Sequence, residues 1–389
     1  MPGKAIFLRK LISSLAPKIK SLEVKNLKFE GSTPPGVFVG SFIAQKKVNV
    51  GPLLAFEKNS NIFDSPEDWI GNFDLENVIK FRISLLRGKR LINVKDVNNR
   101  FVLKLQESVL SKNSLAAKAE FEKPPRNFSL SEEHQPHGPS ANIKNFEFEE
   151  QRWNKYLEKV YYDFDLKANE AITFLYEKKL SFSRIQKALS IGCFGLLKNR
   201  QLVPTRWSIT ATDSILGNKE ISKVKNNGVI EEFRVYETNL FYNKFLVLLT
   251  PTQWQYAAGE AFINFFSRTH LFSDYENYFG RKNYSSMGGC YYAQRFAIAE
   301  FLRAKKEQAG AFVFREVFPG YVPTGVWLCR EATKQALTKA PKIFENLDSA
   351  LNYINSRLKI GLNKFYEKMH LLREIKNQKA YFVLFNASF

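Results

Sequence analysis

Val203-Pro204-Thr205-Arg206-Trp207-Ser208-Ile209-Thr210 lies near the middle of a chain of 389 residues and is followed closely by Asp213. The proline and threonine at its start predict a turn, and the β-branched residues after Trp207 predict a strand. On the C-terminal side, Glu232–Tyr236 and Lys244–Leu249 have the composition of further strands. This part of the chain is therefore expected to contribute to a β-sheet.

Strand and helix signals alternate on both sides of that segment. Towards the N-terminus, Val37–Gly40 and Val48–Leu53 predict short strands bounded by glycine and proline. Residues 75–90 and 100–112 have a mixed, partly helical pattern, and residues 150–190 have helical spacing. The sequence therefore predicts an α/β fold of the mixed α+β kind.

The C-terminal part continues this alternation. A stretch rich in glycine and tyrosine, residues 274–295, leads into a helix through Arg303, and Phe312–Phe314 predicts a short strand. A long final helix is expected from Asn346 to about Lys376. Its apolar residues recur every three or four positions: Leu347, Leu351, Ile354, Leu358, Leu362, Phe365, Met369 and Leu372. Residues 1–20 read as a short basic helix.

The chain ends in an apolar run that starts at Ala380 and is preceded by Gln378. Such a run is typical of a buried final strand, but it can also be offered to a partner. Gln378, Tyr381, Leu384 and Phe385 have the spacing of the box Q-x-x-h-x-x-a-a, with which proteins bind a sliding clamp. The sequence therefore predicts either a final strand or a clamp-binding tail.

Composition favours a globular protein with an acidic partner. The chain is 44% hydrophobic, its net charge is +20 and its pI is about 9.6. Nucleic acid is the commonest partner of so basic a chain, although a lysine-rich proteome would give the same composition. No stretch approaches the length of a membrane-spanning helix, and no signal peptide is recognised, so we expect no membrane association.

Three cysteines, Cys193, Cys290 and Cys329, are too widely spaced for a zinc knuckle or a disulfide framework. We therefore expect neither a metal nor a cofactor, and a reducing cytoplasm as the location.

Basic residues cluster between Lys178 and Arg206, with no acidic residue among them. Phe182, Phe194 and Trp207 lie within or beside the cluster. Basic groups can bind phosphates while aromatic faces stack on bases, so the cluster is a candidate DNA-binding segment. The same pattern also fits core aromatics beneath a solvated face.

Several motifs resemble the archaeal Nre family of DNA repair proteins. The resemblance begins with the segment 203–210 and covers nearly the whole chain. Its other stretches are Pro34–Gly40, Val48–Leu53, Gly138–Ala141, Asp163–Ala168, Gly280-Arg281, Gly288–Arg295, Arg315–Val317, Gly325–Trp327 and Arg330-Glu331.

The resemblance implies a role in DNA damage repair and a C-terminal box that binds a PCNA-type clamp. It also implies a division into residues 1–270, residues 271–376 and a tail at 377–389. Many members begin with a four-cysteine zinc finger, but Gly3–Ile19 contains no cysteine, so that finger is expected to be lost. The box also departs from the family pattern, because Tyr381 and Leu384 replace an aliphatic and an aromatic residue respectively.

Arginines beside glycines are the best candidates for a phosphate-binding cleft. We expect Arg206, Arg281 and Arg295 to bind phosphate, from DNA or a nucleotide, with Lys198 and Arg200 from the basic cluster. Ion pairs with Asp213, Asp274, Glu276 or Glu316 are the structural alternative for the three arginines.

The sequence leaves open whether the protein is an enzyme. The rival to a DNA-binding repair factor is a nuclease or transferase that uses the arginine and glycine cleft. Asp163 and Asp165 could form a metal-binding carboxylate pair on a strand, but their surroundings are helical in pattern. His134 and His137 lie in a proline-rich loop and are expected to be solvated. We expect the protein to lie in the cytoplasm, in association with the nucleoid.

Overall fold

The computed structural model describes residues 27–43, 46–126, 135–149, 151–265 and 268–377. The predicted basic helix at residues 1–20, His134 and the predicted clamp-binding box from Gln378 onward lie outside these residues. Helices and sheets are mixed along the described chain. This confirms the predicted α/β fold.

The described chain forms two compact units. The N-terminal unit contains residues up to 215 together with 322–325, and the C-terminal unit contains residues 216–321 and those from 326 onward. Residue 270, where the sequence motifs suggested a division, lies within a strand of the C-terminal unit. The division of the chain near residue 270 therefore stays a prediction that rests on the family resemblance.

A six-stranded sheet forms the centre of the N-terminal unit. Its strands are β1 (Lys28–Thr33), β2 (Val37–Ile43), β3 (Lys47–Leu54), β4 (Leu86–Asn93), β5 (Leu115–Phe121) and β6 (Ser140–Phe148). The order across the sheet is β1-β5-β6-β4-β3-β2, and β4 and β6 are its parallel pair. Apolar residues alternate with exposed ones along β5, as expected of a sheet with one face on a core.

The helices of this unit begin at polar capping residues. The side chains of Asp74, Asn99 and Asn154 accept hydrogen bonds from backbone N–H groups of the first turns. These caps confirm helices where the sequence had helical spacing. The helices are α1 (Leu75–Ser84), α2 (Arg100–Leu110), α3 (Lys155–Tyr162), α4 (Ala168–Glu177) and α5 (Phe182–Ser190), with 3-10 turns at Asn61–Asp64, Pro66–Asp68 and Leu197–Asn199.

A second six-stranded sheet forms the centre of the C-terminal unit. Its strands are β8 (Phe233–Leu240), β9 (Asn243–Thr250), β10 (Gln255–Phe265), β11 (Arg268–Glu276), β13 (Gly310–Val317) and β14 (Lys342–Phe344), while β7 (Gly228–Val229) and β12 (Glu307–Gln308) pair separately. The order is β11-β10-β13-β9-β8-β14. Strand β13 is parallel to β10 and antiparallel to β9.

Helices cover both faces of this second sheet. The helices are α6 (Thr205–Val224), α7 (Gly289–Lys305), α8 (Trp327–Leu337), α9 (Leu347–Arg357) and α10 (Leu362–Lys368), with a further helix α11 at residues 370–377. Helix α6 begins in the N-terminal unit and belongs to the C-terminal unit from Leu216 onward. Val313 packs with α7 and α8 on one face, and Phe312 and Phe314 pack with α9 and α10 on the other. Every residue of β13 is buried, which explains the apolar run at residues 311–314, and the charged side chains of Arg315 and Glu316 at its end are buried as well.

The strand predicted at residues 205–210 is wrong, because these residues begin helix α6. Pro204 precedes the first turn, where it needs no N–H, and its carbonyl accepts from the amides of Trp207 and Ser208 at 2.8 and 3.0 Å. The hydroxyls of Thr210 and Thr212 donate to carbonyls four residues earlier. These bonds satisfy hydroxyl groups of residues that otherwise favour strands.

The single long helix predicted from Asn346 to Lys376 is also wrong, because the chain turns twice within it. The amides of Lys359 and Ile360 donate to the buried carboxylate of Glu316, each at 2.9 Å, instead of to helix carbonyls. Gly361 then adopts a φ of 77°, and Asn355 caps the next helix by accepting from the amide of Leu362. The predicted apolar positions are nevertheless buried, because each short helix keeps its face on the sheet.

None of the helices in the described ranges has both the length and the apolar character needed to cross a membrane.

Candidate nucleic-acid interface

The candidate interface of the C-terminal unit consists of edge strand β11 and the loop that follows it, residues 277–288. A tight turn opens the loop: the amide of Gly280 donates to the carbonyl of Asn277 at 3.0 Å, and Gly280 has a φ of 81°. The amide of Phe279 donates to the side chain of Asn277. This turn points the ring of Phe279 into solvent, where the residue is 91% exposed.

Arg281 holds this loop together. Its guanidinium pairs with Asp274 at 2.9 Å and donates to the carbonyls of Tyr275, Asn283 and Tyr284. It also lies over the ring of Tyr291, 4.8 Å from the centroid. One cation thus joins the end of β11 to both sides of the loop and to the start of α7.

Asp274 completes this arrangement. Its second carboxylate oxygen accepts from the hydroxyl of Ser285 and the amide of Ser286, both at 2.8 Å. Burial alone would raise the pKa of Asp274, but the bonds from Arg281, Ser285 and Ser286 outweigh it and lower that pKa. The carboxylate is therefore charged at neutral pH.

Arg295 forms a second, deeper ion pair. Its Nε lies 2.8 Å from Oε1 of Glu276, and both side chains are almost fully buried. Glu276 also accepts from Trp254 and Tyr291, while Arg295 donates to Asn218. Burial and the neighbouring Glu276 raise the pKa of Tyr291. Arg281 and Arg295 are thus brought together around Tyr291, in the ion pairs that the sequence had left as the alternative.

Four exposed aromatic residues belong to β11 and this loop: Phe272, Tyr275, Phe279 and Tyr284. Phe272 and Tyr275 are three residues apart on β11, so their side chains face opposite sides of the sheet. We call the two loop residues, Phe279 and Tyr284, the aromatic surface. Tyr275 stacks on His370, with ring centroids 5.4 Å apart and planes at 16°, and Tyr284 packs against Tyr292. The tyrosine-rich composition of residues 274–295 is evident in the sequence, but the exposure of these particular rings could not be predicted from it. The Asn277-to-Gly280 turn between a strand and a helix was the available signal.

In the N-terminal unit, Lys198 is exposed and Arg200 lines a cavity of about 370 Å³. The guanidinium of Arg200 donates to the carbonyls of Gly195 and Asp163 at 2.9 and 3.0 Å. It also lies over the ring of Phe164. Burial lowers the pKa of Arg200, with Cys193 and Tyr161 opposing that effect.

Arg206 lies in the first turn of α6 and is exposed. Its neighbour Trp207 is 59% exposed and meets Phe42 edge to face, at 5.4 Å between ring centroids. Phe42 and Ile43 are themselves exposed at the end of β2. This unit therefore carries an exposed aromatic pair beside an exposed arginine.

The rest of the predicted basic cluster is partly internal. Lys187 is buried and pairs with Asp64 at 2.8 Å. Arg184 donates to the carbonyls of Val109, Ser111 and Lys112 at the end of α2, and burial lowers its pKa to about 10.

Of the three aromatic residues at this cluster, Phe182 and Phe194 are buried and only Trp207 is exposed. The alternative of core aromatics therefore holds for Phe182 and Phe194. Lys187 and Arg184 belong neither to a DNA-binding face nor to a solvated face, because both are internal.

The carboxylate pair Asp163 and Asp165 lies between α3 and α4. Asp163 accepts from the amides of Asp165 and Leu166, as in a turn, and Asp165 is exposed. His137 bonds through Nδ1 to the carbonyl oxygen of Gly138 at 2.8 Å. The side chains of Asp163 and His137 therefore form hydrogen bonds with the neighbouring backbone.

The sequence of the whole chain matches two family models in order. The model of the N-terminal region of archaeal Nre proteins matches residues 10–266, and that of the C-terminal region matches residues 276–382. The chain belongs to the archaeal Nre family. The loop with Arg281 and the helix with Arg295 lie within the second match, and the segment that begins α6 lies within the first.

Named relatives support this assignment over most of their length. The chain is 36% identical to DNA repair protein NreB of Archaeoglobus fulgidus, over 95% of each chain. It is 34% identical to DNA repair protein NreA of the same organism, over 84% of each chain. It is 28% identical to DNA repair protein NreA of Haloferax volcanii, over 85% of this chain and 83% of the relative. No solved structure gives a significant match.

Proposed function

We propose that this Nre protein is a DNA repair factor and that the aromatic surface of its C-terminal unit contacts single-stranded DNA. The names of the relatives support the repair role. The observation that carries the DNA contact is the exposure of Phe279 and Tyr284, at 91% and 62%, on a loop braced by Arg281.

Exposed rings on a braced loop suit unpaired bases for two reasons. Each base has a π-face, so stacking on an aromatic ring contributes about 1–3 kcal/mol per base without requiring a particular sequence. The contacts of Arg281 with the carbonyls of Tyr275 and Tyr284 fix the loop before any ligand arrives. Because the loop is already ordered, it loses little conformational entropy when DNA binds.

Phosphate contacts belong to the same proposal. Arg206 and Lys198 are exposed, so they are the members of the predicted set that we propose contact phosphate directly. Arg281 and Arg295 are engaged with Asp274 and Glu276, so we propose that they act by positioning the aromatic surface. We propose that Arg200 contacts phosphate at the cavity that it lines.

The test is the binding of a fluorescent single-stranded oligonucleotide to the full chain and to Phe279→Ala. We expect the affinity to fall by an amount equivalent to about 1–3 kcal/mol, because one stacking ring is lost. Ile343→Ala is the matched control, since Ile343 is an exposed apolar residue at the opposite edge of the same sheet. Equal affinity of all three proteins would remove the aromatic surface from the proposal.

We further propose that the C-terminal tail binds a PCNA-type sliding clamp through Gln378, Tyr381, Leu384 and Phe385. The spacing of the box and its place after the last described helix support this proposal. Attachment to a clamp on DNA would raise the local concentration of the DNA-binding surfaces, in keeping with a nucleoid-associated protein in the cytoplasm.

Deletion of residues 378–389 tests the tail directly. We expect the shortened chain to keep its circular dichroism spectrum and melting temperature while losing capture by the clamp. Unfolding of the shortened chain would instead favour the final buried strand that the sequence left open. Unchanged capture would place the clamp contact elsewhere.

A further inference from the structure

Two cysteine side chains from different helices meet inside the C-terminal unit. Cys290 is the second residue of α7, and Cys329 is the third residue of α8. Their sulfur atoms and one carboxylate oxygen of Glu260 all lie within 4.8 Å of one another. Both cysteines are free thiols. The sequence could not reveal this meeting, because β13 and its connections separate the two residues along the chain.

A buried arginine lies against both thiols. Nη1 of Arg315 is 3.2 Å from the sulfur of Cys329 and 3.8 Å from that of Cys290. The same nitrogen pairs with Glu260 at 2.8 Å, and Asn243 accepts from the other side of the guanidinium. Burial disfavours the charged form of Arg315, but Cys329 and Glu260 outweigh burial and raise its pKa. The cation therefore persists beside the two sulfurs.

This arrangement does not suit a metal ion, although two thiols and a carboxylate are ligands that zinc uses. The guanidinium of Arg315 already donates to the carboxylate oxygen and to the sulfur of Cys329 that a metal would need. A second cation among the same atoms would be repelled by the first. Arg315 thus supplies the positive charge of the cluster.

The two sulfurs differ in their surroundings. The pKa of Cys290 is raised, chiefly by a hydrogen bond with Cys329 and secondly by burial, so the thiol of Cys290 keeps its proton. Both cysteines lie in the first turn of a helix, so the helix N-termini do not distinguish them, but Cys329 is the sulfur nearer to the Arg315 cation, at 3.2 Å against 3.8 Å for Cys290. Negative charge is therefore better stabilised on Cys329 than on Cys290.

We propose that Cys290 and Cys329 form a redox-active dithiol that hydroperoxides oxidise to an intramolecular disulfide. The thiolate of Cys329 attacks one peroxide oxygen, and the other oxygen takes a proton and leaves as an alcohol or water. The sulfenic acid on Cys329 then reacts with the thiol of Cys290: the sulfur–sulfur bond forms, and the displaced hydroxide leaves as water with the thiol proton. Two thiols are oxidised by two electrons while one peroxide is reduced.

The positions of the side chains are compatible with this step. The sulfurs lie within 4.8 Å of each other and must approach to about 2.05 Å in a disulfide, so the two side chains have to move closer. Cys290 is half-buried and Cys329 is buried, so a small peroxide would approach the pair from the side of Cys290.

The third cysteine provides an internal control. Cys193 is buried in the N-terminal unit, and burial raises its pKa. We therefore expect it to react slowly with peroxide and to remain a thiol. The contrast between Cys193 and the pair does not depend on any difference in protein preparation, because all three thiols are in one chain.

The experiment treats the full reduced chain with hydrogen peroxide, alkylates the remaining thiols under denaturing conditions and maps the peptides by mass spectrometry. We expect loss of two of the three thiols and a linked peptide pair containing Cys290 and Cys329. Cys193→Ser should still lose both remaining thiols, and a dithiol reductant should restore them. Retention of all three thiols, or oxidation of Cys193 as fast as the pair, would overturn the proposal.

Single substitutions separate the roles of the two sulfurs. Cys290→Ser should accumulate a sulfenic acid on Cys329 that a dimedone-type reagent traps, whereas Cys329→Ser should give no trapped product on Cys290. Trapping on Cys290 alone would reverse the assignment and overturn the mechanism. Melting temperatures of both variants check the fold, and the peptide map of the unmodified chain gives a result that does not depend on either variant.

Discussion

At the scale of single residues, two of the arginines chosen from the sequence, Arg281 and Arg295, are parts of buried or half-buried ion pairs. Arg200 instead donates to backbone carbonyls, and Arg206 is exposed. Arg295 and Glu276 are the extreme case, with exposed side-chain fractions of 7% and 0%. A pair so deeply buried is costly to form but far more costly to break, because the remaining charge has no solvent. This explains why an arginine beside glycines in the sequence could not be assigned to phosphate binding instead of to a structural ion pair.

Arg295→Ala should therefore destabilise the C-terminal unit. We expect a loss of about 3–5 kcal/mol in the free energy of unfolding, towards the lower end because Trp254 and Tyr291 still donate to Glu276. Urea unfolding followed by tryptophan fluorescence measures it.

The control is Arg357→Ala, which breaks a half-exposed pair with Glu237 and should cost about 0–1 kcal/mol. Equal losses for Arg357→Ala and Arg295→Ala would contradict the argument from burial.

Asp274 predicts a pH dependence of the same unit. Its pKa is lower in the folded chain than in the unfolded chain, so its contribution to stability is complete above the unfolded value of about 3.9. That contribution is lost as the pH falls through the folded pKa. In Asp274→Asn this part of the acid dependence should vanish, which melting temperatures between about pH 2 and pH 5 would show. An unchanged acid profile would count against it.

At the scale of elements, the sequence predicted most of the helices but only five of the described strands, β2, β3, β8, β9 and β13. It also mistook the start of one helix for a strand and missed the breaks in another. The predicted strand at 205–210 is a helix that starts after Pro204, whose carbonyl accepts from the first-turn amides. The hydroxyls of Ser208 and Thr212 are satisfied within that helix, so the strand propensity of such residues did not decide the structure. The final helix is broken because Glu316, distant in sequence, accepts the amides of Lys359 and Ile360. Local periodicity carries no information about such a long-range acceptor.

The same limit applies to the site. Residues 274–295 were identified from their glycine and tyrosine content, and they do form the braced loop. The cluster of Cys290, Cys329 and Arg315 was missed, because it depends on the pairing of strands far apart in sequence.

Gly361 predicts the cost of removing one of these turns. Its φ of 77° and ψ of 155° lie in a region that only glycine occupies readily, so Gly361→Ala should lose about 1–3 kcal/mol of stability. Gly228→Ala is the matched control, because a Cβ at Gly228 meets no atom within 4 Å and the backbone there is not left-handed. Similar thermal unfolding of both variants would show that the turn tolerates a side chain.

At the scale of the whole molecule, the net charge of +20 predicts that DNA binding depends steeply on salt. The logarithm of the binding constant should fall linearly with the logarithm of salt concentration, by about 0.7 per phosphate contact on single strands. Arg206→Ala should reduce the slope by about one contact. Arg357→Ala removes the same charge from an existing ion pair and should leave the slope unchanged. A salt-independent affinity would exclude an electrostatic mode of binding.

The central position of β13 has a consequence for synthesis. Strands β9 and β10 follow each other closely in the chain, through residues 251–254, yet the finished sheet places β13 between them. A nascent chain that has not yet reached Val317 lacks the strand that keeps these neighbours apart, and a short connection favours their direct pairing as a hairpin. We therefore expect the C-terminal unit to fold slowly, because any early β9–β10 hairpin has to open before β13 can enter between the two strands.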